Sequence, residues 1–106
     1  MTLEHHPESS RETHEAIAEN ERIIPVLAAE YTEAVLKGED EIQLQPLRYA
    51  IAEDSPSGFD VRERVLARFP FRVLYLSDSA GILVLAVAHH SRQPGYWHDR
   101  LSNEWQ

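Results

Sequence analysis

The spacing of hydrophobic and polar positions changes along the chain, from a helical period in the first half to strand-like runs in the second. Residues 2–6 form a short candidate edge strand ended by Pro7, and residues 9–22 carry a thin apolar stripe on an acidic background. Residues 24–37 repeat apolar side chains at helical spacing, and Gly38 is an expected stop signal. The pattern therefore predicts an edge strand followed by two helices, with Ser9 or Ser10 capping the first.

Three β-type runs follow in quick succession, at about 61–68, 71–77 and 82–90. The short turn after the middle run predicts antiparallel pairing. The last run is apolar on both faces and is expected to be the most buried strand, with a helical layer on one side. This order of elements predicts an α+β fold, a helical hairpin packed on a small twisted antiparallel sheet. The helix side chains expected to pack on the last strand are Leu27, Tyr31 and Val35.

Length and composition are those of one domain spanning residues 1–106, with 42% apolar residues available for a modest core. The longest apolar run is strand-sized, which predicts no membrane span. The chain has no cysteine, and its first residues include acids rather than the basic and apolar segments of a signal peptide. We therefore expect a soluble cytoplasmic protein.

The net charge of −8 is unevenly distributed between the two halves. Residues 1–59 hold 13 acids and 4 bases, whereas residues 60–106 hold 5 acids and 6 bases. Binding to a phosphate polyanion depends mostly on Lys and Arg contacts. Only the second half could therefore present a basic surface.

Arginines concentrate on the first two of the β-type runs. Strand alternation sends Arg62, Arg64 and Arg68 to one face, where guanidinium groups could bind phosphate or an acidic partner. The alternative is an exposed edge-strand face on which charge maintains solubility. Arg72 lies between apolar neighbours on the next strand, so it is either ion-paired or directed at a ligand.

Histidines and aromatic residues cluster where the last strand ends. His89 and His90 should point to opposite faces, and the six histidines of the chain fit no metal-ligand spacing, so no metal or cofactor is predicted. Tyr96 and Trp97 follow a Pro-Gly turn, where they could stack on bases or supply a general base, or could simply fix the tail to the sheet. No phosphate loop, nucleophile elbow or paired-carboxylate motif is present.

Three segments together resemble the RelE/ParE toxin superfamily, with greater similarity to its ParE-like branch. They are residues 68–75 (RFPFRVLY), 83–89 (LVLAVAH) and 92–97 (RQPGYW). The His-Pro-Glu junction at residues 6–8 is also similar to the family's first strand–helix junction. The resemblance implies the toxin of a type II toxin–antitoxin module, held inactive by a cognate antitoxin.

The superfamily contains two kinds of toxin, and the resemblance maps a possible active site for one of them. In the ribonuclease branch, which cleaves messenger RNA in the ribosome, the catalytic arginine and tyrosine correspond to Arg72 and Tyr96. His90 stands where that branch has a second arginine. The branch's two catalytic lysines fall on Glu63 and Val65, which cannot replace them.

This departure favours the ParE-like branch, whose members poison DNA gyrase without being nucleases. The resemblance therefore predicts a non-enzymatic toxin directed at gyrase. The first alternative is a ribosome-dependent ribonuclease that uses Arg72, His90 and Tyr96. The second is an inactive scaffold that only binds partners. The residues predicted to contact the target or the antitoxin are Arg62, Arg64, Arg68, Arg92 and Trp97.

Overall fold

The computed structural model describes residues 2–23 and 25–101 of the protein, and at positions 20–23, 25 and 26 the backbone only. The elements are β1 (Thr2–His5), α1 (Pro7–Ile23), α2 (Pro25–Leu44), β2 (Arg62–Val65), β3 (Phe71–Asp78), β4 (Gly81–His89) and a 3₁₀ helix (His98–Leu101). The four strands form one sheet with the order β1-β4-β3-β2, and both α-helices lie in the chain between β1 and β2. The α+β prediction is confirmed, but the sheet is mixed, because β1 pairs parallel to β4 while the other pairs are antiparallel.

Helix α1 begins earlier than its sequence predicts. His6 caps it, since the ring Nδ1 accepts a hydrogen bond from the Glu8 amide at 3.1 Å. Pro7 takes the first helical position, where its missing N–H costs nothing. The prediction that Ser9 or Ser10 is the cap was wrong, because Ser9 lies inside the first turn and donates its hydroxyl to the His6 carbonyl at 2.8 Å.

Helix α2 continues through the predicted stop at Gly38 and ends at Leu44. Gly38 is buried, and a Cβ at this position would lie 3.1 Å from Cδ2 of Leu66. The glycine therefore allows close packing of the helix against the segment after β2, and it does not end the helix. The predicted first residue, Ile24, lies outside the described residues, whereas Pro25 is helical as expected.

Strand β4 lies between β1 and β3 and is apolar on both faces, as predicted. Its register with β3 shifts at one point, since Leu74 pairs with Ala86 while Tyr75 pairs with Val84. Leu85 is the extra residue of this bulge. Strict alternation therefore fails here, and Val84 and Val87 both face the helices. The strand ends at His89, one residue before the predicted end.

Two apolar clusters sandwich the sheet. On the helix side Tyr31 and Val35 are buried as predicted, whereas Leu27 is only half-buried. The other face is covered by the loop between α2 and β2 and by the C-terminal tail rather than by a helix. The helix-side core contains Tyr31, Val35, Ile42, Leu66, Val73, Tyr75, Ile82, Val84 and Val87. The tail-side core contains Ala52, Val61, Leu74, Leu85, Ala86, Ala88 and Trp97.

Strand β2 is shorter than predicted. It ends at Val65, after which the Leu66 amide donates to the Phe71 carbonyl at 2.9 Å and closes a bend into β3. Arg68 therefore lies in the bend and not on the strand. Within the described ranges neither helix has the length and hydrophobicity needed to cross a membrane.

Candidate functional site: two buried carboxylates and the arginines around them

The two arginines of β2 lie on the helix side of the sheet. Their register partners, Tyr75 and Val73, belong to the helix-side core. Arg62 donates to the Tyr49 carbonyl at 2.7 Å, and Arg64 forms an ion pair with Glu41 of α2 at 2.9 Å. Both guanidinium groups are therefore bound within the protein, close to the C-terminal end of α2.

Arg72 is held by carboxylates on the opposite, tail side. It donates to both oxygens of Asp54, at 2.8 and 2.6 Å, and to Glu63 at 3.1 Å. Hydrogen bonds from the Arg72 guanidinium hold the pKa of the Asp54 carboxyl well below its usual range. Of the two alternatives for Arg72, the structure shows the ion-paired one.

Asp54 also fixes the start of the tail. Its Oδ2 accepts from the Gly95 amide at 2.9 Å and from Nε1 of Trp97 at 3.2 Å. Trp97 is fully buried in the tail-side core. Trp97 therefore fixes the tail to the sheet, and its buried side chain is not available for contact with a partner.

Glu12 of α1 is the second buried carboxylate and the centre of another cluster. It accepts two parallel hydrogen bonds from Arg100, at 2.8 and 3.0 Å, and one from the Tyr96 hydroxyl at 2.5 Å. The side chains of Glu12 and Arg100 are 9% and 8% exposed. Their bidentate pair therefore ties the end of the tail to α1 in a site with little solvent screening.

This cluster also completes the backbone hydrogen bonding of β4. Strand β1 ends at His5, so β4 has no strand neighbour on that side beyond Val84. The Val87 amide donates to Glu12 at 3.1 Å, and the Leu85 carbonyl accepts from Arg100 at 3.0 Å. Side chains thus satisfy buried backbone groups that a longer β1 would otherwise pair.

Tyr96 is poorly suited to act as a base. Burial, with the hydrogen bond to Glu12, raises the pKa of the Tyr96 hydroxyl above its ordinary value. The guanidinium carbon of Arg92 lies 3.8 Å from the centre of the tyrosine ring. The phenol therefore stays protonated near neutral pH and donates a hydrogen bond to the Glu12 carboxylate.

Arg72, Tyr96 and His90, which the ribonuclease alternative requires, do not share a hydrogen-bond cluster within the described residues. Arg72 belongs to the Asp54 cluster and Tyr96 to the Glu12 cluster, while His90 is an exposed turn residue after β4. Across residues 2–23 and 25–101, no hydrogen bond or ion pair joins any two of the three. In the same ranges no three His, Asp or Glu side chains are grouped so that they could hold a metal ion.

Exposure separates the arginines that were predicted as contact or catalytic residues into two groups. The Arg68 and Arg92 side chains are 74% and 52% exposed. Those of Arg64 and Arg72 are 26% and 18% exposed, because their charges are used inside the protein. The pair between Arg68 and Glu30 is a surface ion pair, which contributes little and can exchange partners.

The two carboxylates that organise the site were not identified from the sequence. Glu12 reads there as one of several acids near a helix start, and Asp54 as a residue of a turn-rich loop. Arg100 gave no signal beyond its charge. Their importance comes from burial, which local sequence patterns do not report.

Comparison with known proteins agrees with the fold and the sequence motifs. The family model of the ParE toxin of type II toxin–antitoxin systems, parDE, matches residues 3–94. The chain belongs to the ParE toxin family. The matched region contains two of the three family-like segments but ends before Tyr96 and Trp97. Membership of a toxin–antitoxin family implies a cognate antitoxin as a partner.

A solved structure gives the same fold for this ParE-family chain. A chain described as "Chromosomal ParDE TA system from P. aeruginosa" superimposes with a TM-score of 0.71 and 18% sequence identity. The match covers 84% of this chain and 95% of the other. At this identity the likeness concerns the fold alone. A comparison with curated proteins yields no match.

Proposed function

We propose that this ParE-family chain arrests growth by binding an essential target, with DNA gyrase favoured, and that a cognate antitoxin neutralises it. In this proposal the protein is cytoplasmic and is not a nuclease. Its family supports the class of toxin, and the arrangement of Arg72 and Tyr96 supports a binding rather than a catalytic mode of action.

The observation that carries the non-catalytic mode is the internal use of both candidate catalytic groups. Cleavage by a ribose hydroxyl needs a proton acceptor and uncompensated positive charge near the phosphate. The Tyr96 hydroxyl donates a hydrogen bond to Glu12, and Arg72 is neutralised by Asp54 and Glu63. A substrate phosphate would have to displace two carboxylates from Arg72.

The exposed arginines are the favoured contacts for an acidic antitoxin segment. Arg68 and Arg92 extend into solvent, so a carboxylate of the antitoxin can reach both guanidinium groups. Arg68 is paired with Glu30 at the surface at 3.1 Å, and Arg92 lies at the edge of the Glu12 cluster, 3.9 Å from the carboxylate. Arg62, Arg64 and Arg72 act indirectly, because they hold β2 and β3 to the neighbouring loop and helix. The proposed antitoxin surface is therefore limited to the bend after β2, which contains Arg68, and the turn after β4, which contains Arg92.

Induced expression in bacteria, with translation and DNA damage measured separately, tests the mode of action. We expect growth arrest accompanied by a DNA damage response while incorporation of labelled methionine continues. Purified protein is expected to inhibit supercoiling by gyrase. Translation that stops within minutes, with cleaved messages recovered from ribosomes, would instead establish the ribonuclease alternative. Absence of any growth arrest would identify an inactive scaffold.

Tyr96→Phe distinguishes the two modes with a minimal change. A binding toxin should retain its growth arrest, because the ring and its contacts remain. A nuclease that uses this hydroxyl should lose about 10²–10³ in rate. Circular dichroism of the purified variant must first show the native fold, since the substitution also removes the hydrogen bond to Glu12.

The antitoxin surface is tested by charge reversal. Arg68→Glu together with Arg92→Glu should weaken antitoxin binding by about 2 kcal/mol or more if the pairs are desolvated in the complex. Arg48→Glu is the matched control, because Arg48 is also exposed but lies outside this surface. Unchanged affinity of the double variant in calorimetry would exclude this placement.

A further inference from the structure

A groove of about 340 Å³ opens on the tail side of the sheet, at the end where β1 meets the turn between β3 and β4. We call it the terminal groove. Thr2 and Glu4 of β1 form one wall, and Asp78 lies at the turn. The apolar residues that line it are Phe59, Leu76, Leu83 and Leu101, together with Ile82, whose side chain belongs to the helix-side core. None of these residues belongs to the arginine surface proposed for the antitoxin.

The floor of the terminal groove is held in place by the rest of the fold. Leu76, Leu83 and Leu101 pack against the tail-side core. Leu101 follows Arg100, which is bound to Glu12 and to the Leu85 carbonyl. A ligand would therefore meet a groove that is already formed, so binding would not require a large ordering cost.

The charges of the terminal groove select the chemistry of its occupant. Glu4 and Asp78 are exposed carboxylates. Within residues 2–23 and 25–101, only one oxygen of Asp78 has hydrogen-bond donors, the Ala80 and Gly81 amides. The one cation of the lining, Arg100, is already paired with Glu12. An apolar floor with uncompensated acids at its rim complements an apolar side chain flanked by Lys or Arg.

The neighbouring sheet edge favours a polypeptide over a small molecule. Strand β1 is the last strand of the sheet, so among the described residues one side of its backbone has no strand neighbour. An extended segment can pair with such an edge while alternate side chains enter an adjacent groove. Thr2 and Glu4, at alternate positions of β1, both line the groove.

We propose that the terminal groove binds an extended cationic segment of a partner protein, in which apolar side chains alternate with Lys or Arg. This occupant is opposite in charge to the acidic segment proposed for the arginine surface. The two surfaces can therefore be tested independently, and the inference does not depend on the toxin's target.

Two model peptides provide the probe, acetyl-Lys-Leu-Lys-Leu-Lys-amide and its counterpart with Glu in place of Lys. In NMR titrations of the full chain, the cationic peptide is expected to shift the amide signals of Leu76, Gly81 and Leu83. The acidic peptide should leave them in place. Only saturable shifts confined to the groove support the proposal.

Charge-neutral variants give the quantitative test. Glu4→Gln combined with Asp78→Asn should weaken binding of the cationic peptide at least fivefold, and asparagine keeps the oxygen that caps the turn. Glu53→Gln is the control, because Glu53 is exposed and does not line the groove. We expect this control to bind the peptide with unchanged affinity.

Five results would overturn the proposal. If both peptides bound equally, or if Glu53→Gln weakened binding of the cationic peptide as much as the double variant does, the charge argument would fail. Shifts centred on Arg68 and Arg92 would place the peptide on the other surface, and no shifts at millimolar peptide would exclude binding. If Trp105→Ala tightened binding more than tenfold, the natural occupant would be the chain's own C-terminal segment.

Discussion

A Glu12→Gln substitution is expected to lower the free energy of unfolding by about 3–5 kcal/mol, the usual cost of removing one partner from a buried ion pair. The reason is that Arg100, only 8% exposed, would keep its charge without the carboxylate that compensates it. Glutamine can still accept a hydrogen bond from Tyr96 or from the Val87 amide, so the lost charge dominates. Small domains have a total stability of about 5–15 kcal/mol, of which this is a large part.

Urea unfolding followed by circular dichroism measures this change directly. In thermal unfolding, each kcal/mol should lower the midpoint by about 4–8 °C in a domain of this size. A double-mutant cycle with Arg100→Gln should show a coupling energy of about 1–3 kcal/mol, since the double variant leaves neither charge buried alone.

Glu15→Gln is the matched control, on the same helix. Glu15 also pairs with an arginine, Arg11, at 2.9 Å, but both side chains are exposed. Loss of this surface ion pair should leave the unfolding midpoint unchanged. A loss below about 1 kcal/mol for Glu12→Gln, or additive effects in the cycle, would refute the argument that Glu12 compensates a buried charge.

Three further changes test the core, the pH dependence and the tail. Val87→Asp should abolish the cooperative unfolding transition in circular dichroism, because it places an unpaired charge in the helix-side core, and a native-like transition would show that Val87 is misassigned. The hydrogen bond to Glu39 raises the pKa of His5, so their ion pair stabilises the protein fully below about pH 6.5 and loses this effect as pH rises through the raised pKa. Urea midpoints should show this pH dependence in the native chain and not in His5→Gln, and parallel curves would contradict it. Gly95→Ala should lower the unfolding midpoint, since its φ is +78° and a Cβ would lie 2.7 Å from the His98 ring, and an unchanged midpoint would show that the tail adjusts freely.

The sequence by itself determined the type and order of the elements, because the periodicity of apolar residues is a local property. It predicted the edge strand, both helices, all three later strands and the burial of Tyr31 and Val35. The prediction that α2 packs on the last strand was wrong, because α1 is the helix that makes the main contacts with β4, whereas α2 contacts β3. Its errors lie where a residue's role depends on distant contacts. Gly38 is one example, since only the packing of Leu66 against α2 explains a glycine inside that helix.

The site could be predicted only as a set of candidates. The sequence singled out Arg72, Tyr96 and Trp97 as candidates, but it could not state what they contact. Glu12 and Arg100 are 88 residues apart in the chain, and Arg72 and Asp54 are 18 apart. Only the tertiary structure decided that these charges are buried together. It did so because the ends of the sheet, the loop and the tail meet there, and the low dielectric constant of a buried site strengthens the attraction between opposite charges.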